Sequence, residues 1–298
     1  MDTDAQTTIE APPTCVLCDT PVSGEAGGCP SCQMPIALSA KFQERETPPQ
    51  FVSIVGPSGS GKTVYLGMMI DILTNGTDQL QGRIGDSFSV AVQEQTITAL
   101  QRQGFPQKTS SESDSWNWVH CEVNTVKNRN KVLDLIAPDF AGEAISMEMD
   151  CPNSYPAIPG VLSRSRAVVM LCDAMNVRDN AVIEDLFAMK LASYIHSRML
   201  TSKRVDKAGK TDIPLAIVLT KSDSCPDVSA NVADFAKNNL PRLVNYCSGV
   251  FSNFRLFHTS VVGSQATLVD NLGRRWQIPI HTEMQGITEP IEWIFNVK

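Results

Sequence analysis

The chain is poor in the features that would mark it as a membrane, secreted or nucleic-acid-binding protein. No apolar run approaches the roughly 18 residues that a membrane-spanning helix needs, and the stretch MDTDAQTTIEAPPT at the N-terminus has neither the basic end nor the apolar segment of a secretory signal. A cytoplasmic protein is therefore expected. Positive charge is scarce: 25 Lys and Arg against 32 Asp and Glu leave a formal net charge of -7, which gives no long-range attraction to nucleic-acid phosphates or anionic lipid. The four histidines are dispersed, without the HxxxH spacing of a metal helix or a Ser-His-Asp order, so they read as packed or surface residues.

A disulfide framework is also absent. Nine cysteines is an odd number, and Cys121, Cys151, Cys172, Cys225 and Cys247 are scattered. The other four stand in CVLCDTPVSGEAGGCPSC, where Cys15 and Cys18 form one CxxC and Cys29 and Cys32 form another, ten residues apart. Each CxxC turn offers two thiolates to one ion, and two turns close a tetrahedral site with no open position for catalysis. Thirty-odd residues bury too little surface to fold alone, so a metal cross-link has a structural reason to exist here. Four soft sulfurs favour zinc, with iron as the alternative. Because no Lys or Arg precedes Lys41, such a zinc ribbon lacks the side chains that neutralise phosphates, and contact with a protein partner fits it better than contact with nucleic acid.

What the rest of the chain has is a set of nucleotide-binding signals. The β-favouring run Phe51 to Val55 leads into GPSGSGKT and then into VYLGMMIDILTNG, whose apolar residues recur at helical spacing. Strand, glycine-rich loop and helix in that order form a phosphate-binding loop. In it, Gly56, Ser58, Gly59, Ser60, Gly61 and Val64 belong to the backbone wrap around the phosphates, Lys62 reaches the β and γ oxygens, and Thr63 offers a hydroxyl to Mg²⁺. This motif fixes a nucleoside triphosphate but does not choose between ATP and GTP.

Later stations make that choice. IPLAIVLTKSD is an apolar strand ending in Thr220, Lys221, Ser222 and Asp223, and it resembles the guanine-reading [NT]KxD motif of Ras-like GTPases. An Asp carboxylate there accepts from the N1-H and exocyclic amine of guanine, a pair that adenine does not offer, while the Lys stem covers the base. Between the two motifs, Asp139 to Glu143 read DFAGE after an apolar strand, which is similar to the DxxG switch of the same family. The resemblance assigns Mg²⁺ holding to Asp139 and γ-phosphate sensing to Gly142. Asp134 is the competing acid, but no glycine follows it at the needed distance. The strand RAVVMLCDA and the pair Thr259 and Ser260, with Val261, fall where the family has its next strand and final base-contacting loop, and ITEPIEWIF reads as a closing helix.

Together these parts resemble bacterial translation-factor-class GTPases of predicted conflict systems, called double-GTPase proteins. The resemblance implies an α/β fold: a mostly parallel central sheet flanked by helices, with the small zinc ribbon added at the N-terminus. The expected organisation is a zinc ribbon over residues 1–36, a linker over 37–49 ending in Pro48 and Pro49, and a GTPase domain over 50–298. It also implies GTP and GDP as ligands, Mg²⁺ as cofactor, and a protein effector, a second GTPase, a GTPase-activating protein or a second copy as partner. A first-switch threonine is expected in GFPQKTSSESDS, at Thr109.

Two departures bear on turnover. Glu143 stands where the family places a water-orienting Gln, and Ser58 fills a loop position that is often Gly. Both point to slow intrinsic hydrolysis. The competing functions are a nucleotide-binding scaffold with little hydrolysis and a P-loop ATPase. Against the latter stand the absence of an LSGGQ segment and of an acidic pair ending a Walker B strand, and the presence of TKSD. Finally, a helix is expected over SVAVQEQTITALQRQ, and the helix from about Asp179 to Met199 is expected to bury Val182, Ile183, Leu186, Phe187, Met189, Leu191 and Ile195.

Overall fold

A computed structural model describes residues 13–23, 27–107, 116–140, 142–269, 273 and 275–297. Among the described residues nine strands run in chain order as β1 Phe51–Val55, β2 Leu80–Ile84, β3 Trp118–Thr125, β4 Asn128–Pro138, β5 Ser165–Asp173, β6 Leu215–Thr220, β7 Phe254–His258, β8 Ser260–Val269 and β9 Arg275–Gln285. The first seven form one sheet in the order β2-β3-β4-β1-β5-β6-β7, and β8 and β9 form a separate antiparallel hairpin. From β4 to β7 every neighbouring pair is parallel, whereas β2, β3 and β4 are antiparallel.

The parallel strands are covered on both faces, and their sequences show why. In β1, Phe51 and Val55 point to one face and Val52 and Ile54 to the other. Likewise Val168 and Met170 of β5 oppose Val169 and Leu171. Near-continuous apolar runs of this kind satisfy a strand buried twice over. On the Val52 face lie helices Lys62–Asn75, Ser87–Gln101 and Glu289–Asn296, contributing Leu66, Ile70, Val92 and Ile291. On the Phe51 face lie helices Ala157–Arg164, Ala181–Thr201 and Pro241–Val250, contributing Val161, Ile195 and Leu243.

The N-terminal segment joins that second face. Leu17, Val22 and Met34 share a buried cluster with Phe51, Trp116 and Val161. The stretch expected as a linker carries helix Ile36–Gln43, whose Leu38 and Phe42 enter the same cluster. Phe42 stands edge-on to both Phe51 and His120, with ring centroids 5.0 Å apart in each case. The eight-residue helix gave little periodic signal because it buries only Leu38, Ser39 and Phe42.

Helix Ala181–Thr201 differs from its expected stripe. Val182, Ile183 and Leu186 are 63%, 68% and 45% exposed, while Leu191 and Ile195 are buried. The turn is set by a charged residue. Asp185, 1% exposed, accepts from the backbone N–H groups of Arg242 and Leu243 at 3.0 and 2.9 Å and so caps helix Pro241–Val250. With Asp185 inward, the three apolar neighbours face out. No helix among the described residues is long and apolar enough to cross a membrane.

Candidate functional site

The site collects at the carboxyl ends of the parallel strands, where backbone groups run out of sheet partners and loops begin. β1 ends at Val55 and hands over to Gly56 and the loop that leads into helix Lys62–Asn75. Gly59 and Gly61 both take φ of 77°. An L side chain is strained there, so glycine is what lets the loop curl before the helix.

Lys62 opens the helix and is only 6% exposed. Its ammonium donates to Asp139 Oδ1 at 3.1 Å and to the Pro138 carbonyl at 3.3 Å, and it lies 4.4 Å from the centre of the Phe140 ring. Burial lowers its pKa, and the negative charge of Asp139 opposes that shift. Thr63 donates its hydroxyl to the same Asp139 Oδ1 at 3.0 Å. The two oxygen groups expected to serve Mg²⁺ are thus adjacent, on a helix start and a strand end. A hydroxyl and a carboxylate are hard oxygen donors of the type Mg²⁺ takes while keeping several waters and phosphate oxygens.

Asp134, the competing acid, lies elsewhere. It stands mid-strand in β4, where His120 Nε2 at 3.0 Å, Arg45 Nη1 at 2.8 Å and the Gln50 N–H at 3.1 Å contact it. Its neighbour across the strand pair, Glu122, meets Arg83 at 2.6 Å, Lys41 at 2.9 Å and Arg45. His120, Glu122 and Asp134 have the spacing of a metal set, yet three cations already answer the two carboxylates. The group is an ion-pair network, and it fixes the segment after helix Ile36–Gln43 to β3 and β4.

Gly142 and Glu143 of DFAGE lie against the phosphate loop. A Cβ at Gly142 would stand 1.7 Å from the Ser58 nitrogen, so only glycine allows this approach. One residue on, Glu143 Oε1 accepts from the Ser58 hydroxyl at 3.0 Å. The two departures from the family pattern are bonded to each other.

At the other end, β6 delivers Thr220, whose hydroxyl donates to the Ser60 carbonyl at 2.8 Å and ties the TKSD turn to the phosphate loop. Lys221 takes φ of 59°, and its ammonium meets Asp173 Oδ2 at 2.6 Å. Asp173 ends β5 and caps helix Ala174–Asp179 through the N–H groups of Met175 and Asn176. Asp223 Oδ2 accepts from Ser224 Oγ and from Gln265 Nε2, each at 3.0 Å. Ser260 and Val261 start β8 beside it.

Lys62, Thr63, Gly142, Thr220, Lys221 and Asp223 line one cavity of about 630 Å³, together with Ser260, Val261 and Gln265. Phe105, Pro106 and Gln107 form part of its wall and lead toward Thr109, which lies outside the described residues. Asp173 and Gln265 line the same cavity without being among the expected site residues. Asp173 had one legible sign, its place at the end of the LCDA strand, and Gln265 had none.

The four N-terminal cysteines also converge. Cys15 Sγ and Cys32 Sγ are 3.5 Å apart, Cys18 and Cys29 3.5 Å, and Cys18 and Cys32 3.6 Å. A tetrahedral ion with metal–sulfur bonds of about 2.3 Å puts its sulfurs roughly 3.8 Å apart, so the donor set fits zinc closely. The hydrogen bond with Cys32 brings the Cys15 thiol down to about 5 despite burial, and the same bond together with burial pushes Cys32 up.

A phosphate loop after the first parallel strand, a DxxG segment pressed against it and a KxD carboxylate facing the same cavity define a P-loop protein of the Ras-like GTPase class. Residues 50–273 match the profile of the Double-GTPase 2 family, and the chain belongs to that family. No curated protein sequence matches it. Similar solved structures include the Arl6 (BBS3) small GTPase of Trypanosoma brucei with GppNp, 13% identical over 83% of this chain and 96% of that one, TM-score 0.42. The Ski7 GTPase-like domain of S. cerevisiae, bound to GDP and inorganic phosphate, is 14% identical over 84% of this chain and 49% of that one, TM-score 0.42. The GDP-bound RocCORdC of Methanosarcina barkeri Roco2 is 15% identical over 72% and 44%, TM-score 0.32. This chain spans less than half of the last two.

Proposed function

We propose that the chain is a guanine-nucleotide switch that hydrolyses GTP slowly and whose states are read by a protein partner. The observation that carries this reading is the meeting of Lys62 and Asp223 on one cavity, a phosphate cation at one end and a carboxylate at the other. Lys62 and the loop N–H groups hold the β and γ phosphates, and Thr63 with Asp139 would hold Mg²⁺, which would supply charge neutralisation at the phosphates. Asp223 accepts from guanine N1-H and the 2-amino group, Lys221 covers the base, and Ser260 with Val261 borders it. Gly142 reports the γ-phosphate through its N–H, and Thr109 is the proposed partner switch residue.

In hydrolysis, a water oxygen bonds to the γ-phosphorus, the bond to the β,γ-bridging oxygen breaks with its electron pair leaving on GDP, and the water proton ends on phosphate. Glu143 at that position adds like charge near the γ-phosphate and donates no hydrogen bond while ionised. Its bond to Ser58 also occupies it. Fast turnover is therefore assigned to a partner, whether an activating protein, a second GTPase or a second copy. The zinc ribbon, with no cation before Lys41, serves as a protein-contact module.

Titration with GDP and ADP in Mg²⁺ tests the reading. GDP should bind at least a hundredfold more tightly, and Asp223→Asn should move the preference toward xanthine nucleotides, whose ring presents a carbonyl where guanine has its amine. Equal affinities for GDP and ADP in the unaltered protein would overturn it.

A further inference from the structure

We propose that Gln265, carried by the β8–β9 hairpin, is a positioning residue that holds the Asp223 carboxylate in its base-reading orientation and so sets guanine selectivity; this rests on the guanine-nucleotide reading above. The hairpin stands outside the main sheet, since β8 and β9 pair with each other and not with β7. Its root is nonetheless fixed. Thr259 Oγ1 donates to the Gln285 carbonyl at 2.8 Å. Gly286 closes the return with φ of 68°, so near the end of β7 that a Cβ there would stand 2.0 Å from the His258 carbonyl oxygen.

From that root, β8 runs past the cavity and places Gln265 on its wall. The Gln265 amide donates to Asp223 Oδ2 at 3.0 Å and approaches Ser224 Oγ at 3.4 Å. Ser224 donates to the same Oδ2 at 3.0 Å. Ser224 is the adjacent residue and moves with Asp223, so its bond does little to fix the carboxylate in space. Gln265 comes from another element, 42 residues away. The terminal torsion of an Asp side chain is broad and roughly two-fold, and an unheld carboxylate samples planes that cannot meet two coplanar guanine donors. A donor from a rooted hairpin selects one plane before the base arrives, and preorganisation of that kind adds affinity without a new ligand contact. Oδ1 receives no hydrogen bond among the described residues and stays available to the base. The adenine edge makes no use of this carboxylate, so ADP should be indifferent to Gln265.

The test is titration of the full chain with GDP and ADP, comparing the unaltered protein with Gln265→Leu and Gln265→Glu. Gln265→Leu should weaken GDP about tenfold, the order of a lost hydrogen bond to a charged group, and leave ADP within about twofold. The GDP:ADP ratio therefore falls about tenfold while the thermal midpoint without nucleotide stays put. Gln265→Glu keeps the shape but replaces the donor by a second carboxylate about 3 Å from Asp223, and should cost GDP more than Leu does. An unchanged GDP:ADP ratio in both variants, equal losses for GDP and ADP, or tighter GDP binding would each overturn the positioning role. No preference for GDP in the unaltered protein would instead remove the guanine reading, and this proposal with it.

Discussion

The nucleotide cavity and the cysteine unit are built on opposite principles. The cavity assembles at the ends of β1, β4, β5 and β6, and its groups are placed by a sheet whose central strands β1, β5 and β6 are buried on both faces. Among its described residues the cysteine unit has no helix or strand, only single bridges such as Thr14 to Pro21 and Gly28 to Pro35, and four converging sulfurs at its centre. It is still not loose. Arg164 Nε donates to the Leu17 carbonyl at 2.9 Å and the Val16 N–H to Ser39 Oγ at 3.0 Å, while Leu17 and Met34 sit in the core of the sheet's second face. A small unit can thus borrow a larger unit's core and still depend on a local cross-link.

The largest effect should come from breaking that cross-link. Cys15→Ser, or a strong chelator, removes a source of folding free energy of about 10 kcal/mol or more in comparable peptides. The expected result is loss of amide protection over residues 13–35, with GDP affinity changed less than about threefold because no cavity group comes from that segment. Elemental analysis of reduced protein should find one zinc per chain. A GDP affinity that falls with the metal would mean that the two regions form one cooperative unit.

How much of this was legible follows from how the residues are spaced. The phosphate loop, DFAGE and TKSD are contiguous, and each sits where an apolar strand ends, so pattern and period agree. What stayed hidden depends on partners distant in sequence: Asp173 with Lys221, 48 residues apart, Gln265 with Asp223, 42 apart, and Arg45 with Asp134, 89 apart. Helix Ile36–Gln43 leaves no period in the sequence, because only three of its residues turn inward. The outward turn of Val182 and Ile183 follows from the Asp185 cap, which no apolar count reveals.

A smaller effect is expected at the seam between the two regions. Burial alone would push Glu122 up, but the hydrogen bonds of Arg83 and Lys41, with the charges of Lys41 and Arg45, bring its pKa down to about 2. A carboxylate near 4.3 when unfolded and near 2 when folded stabilises the folded state fully above about pH 4.3 and loses that contribution as pH falls toward 2. Glu122→Gln should therefore cost about 1–2 kcal/mol at neutral pH, a discounted figure because Arg83 is solvent-facing. Urea unfolding against pH should show the two proteins converging in acid. A constant difference down to pH 3 would remove the ion pairs as its cause.

The smallest effect is expected inside the cavity, where binding and turnover part company. Asp139, Lys62 and Thr63 form one bonded group suited to holding phosphate and Mg²⁺, but the residue nearest the role of orienting water, Glu143, is bonded to Ser58 instead. A carboxylate tied to the phosphate loop is neither free to orient a water nor able, while ionised, to donate to the transition state. Ser58→Ala should remove that bond and change the single-turnover rate of the dilute protein by no more than about fivefold, since the carboxylate still repels the γ-phosphate. Glu143→Gln should not lower that rate, because the amide removes the like charge and can donate a hydrogen bond. A rate of many per second in the unaltered protein, independent of its concentration, would contradict slow intrinsic turnover, whereas acceleration with concentration would implicate a second copy. Complete loss of hydrolysis in Glu143→Gln would make Glu143 the general base, with Ser58 as the hydroxyl that restrains it.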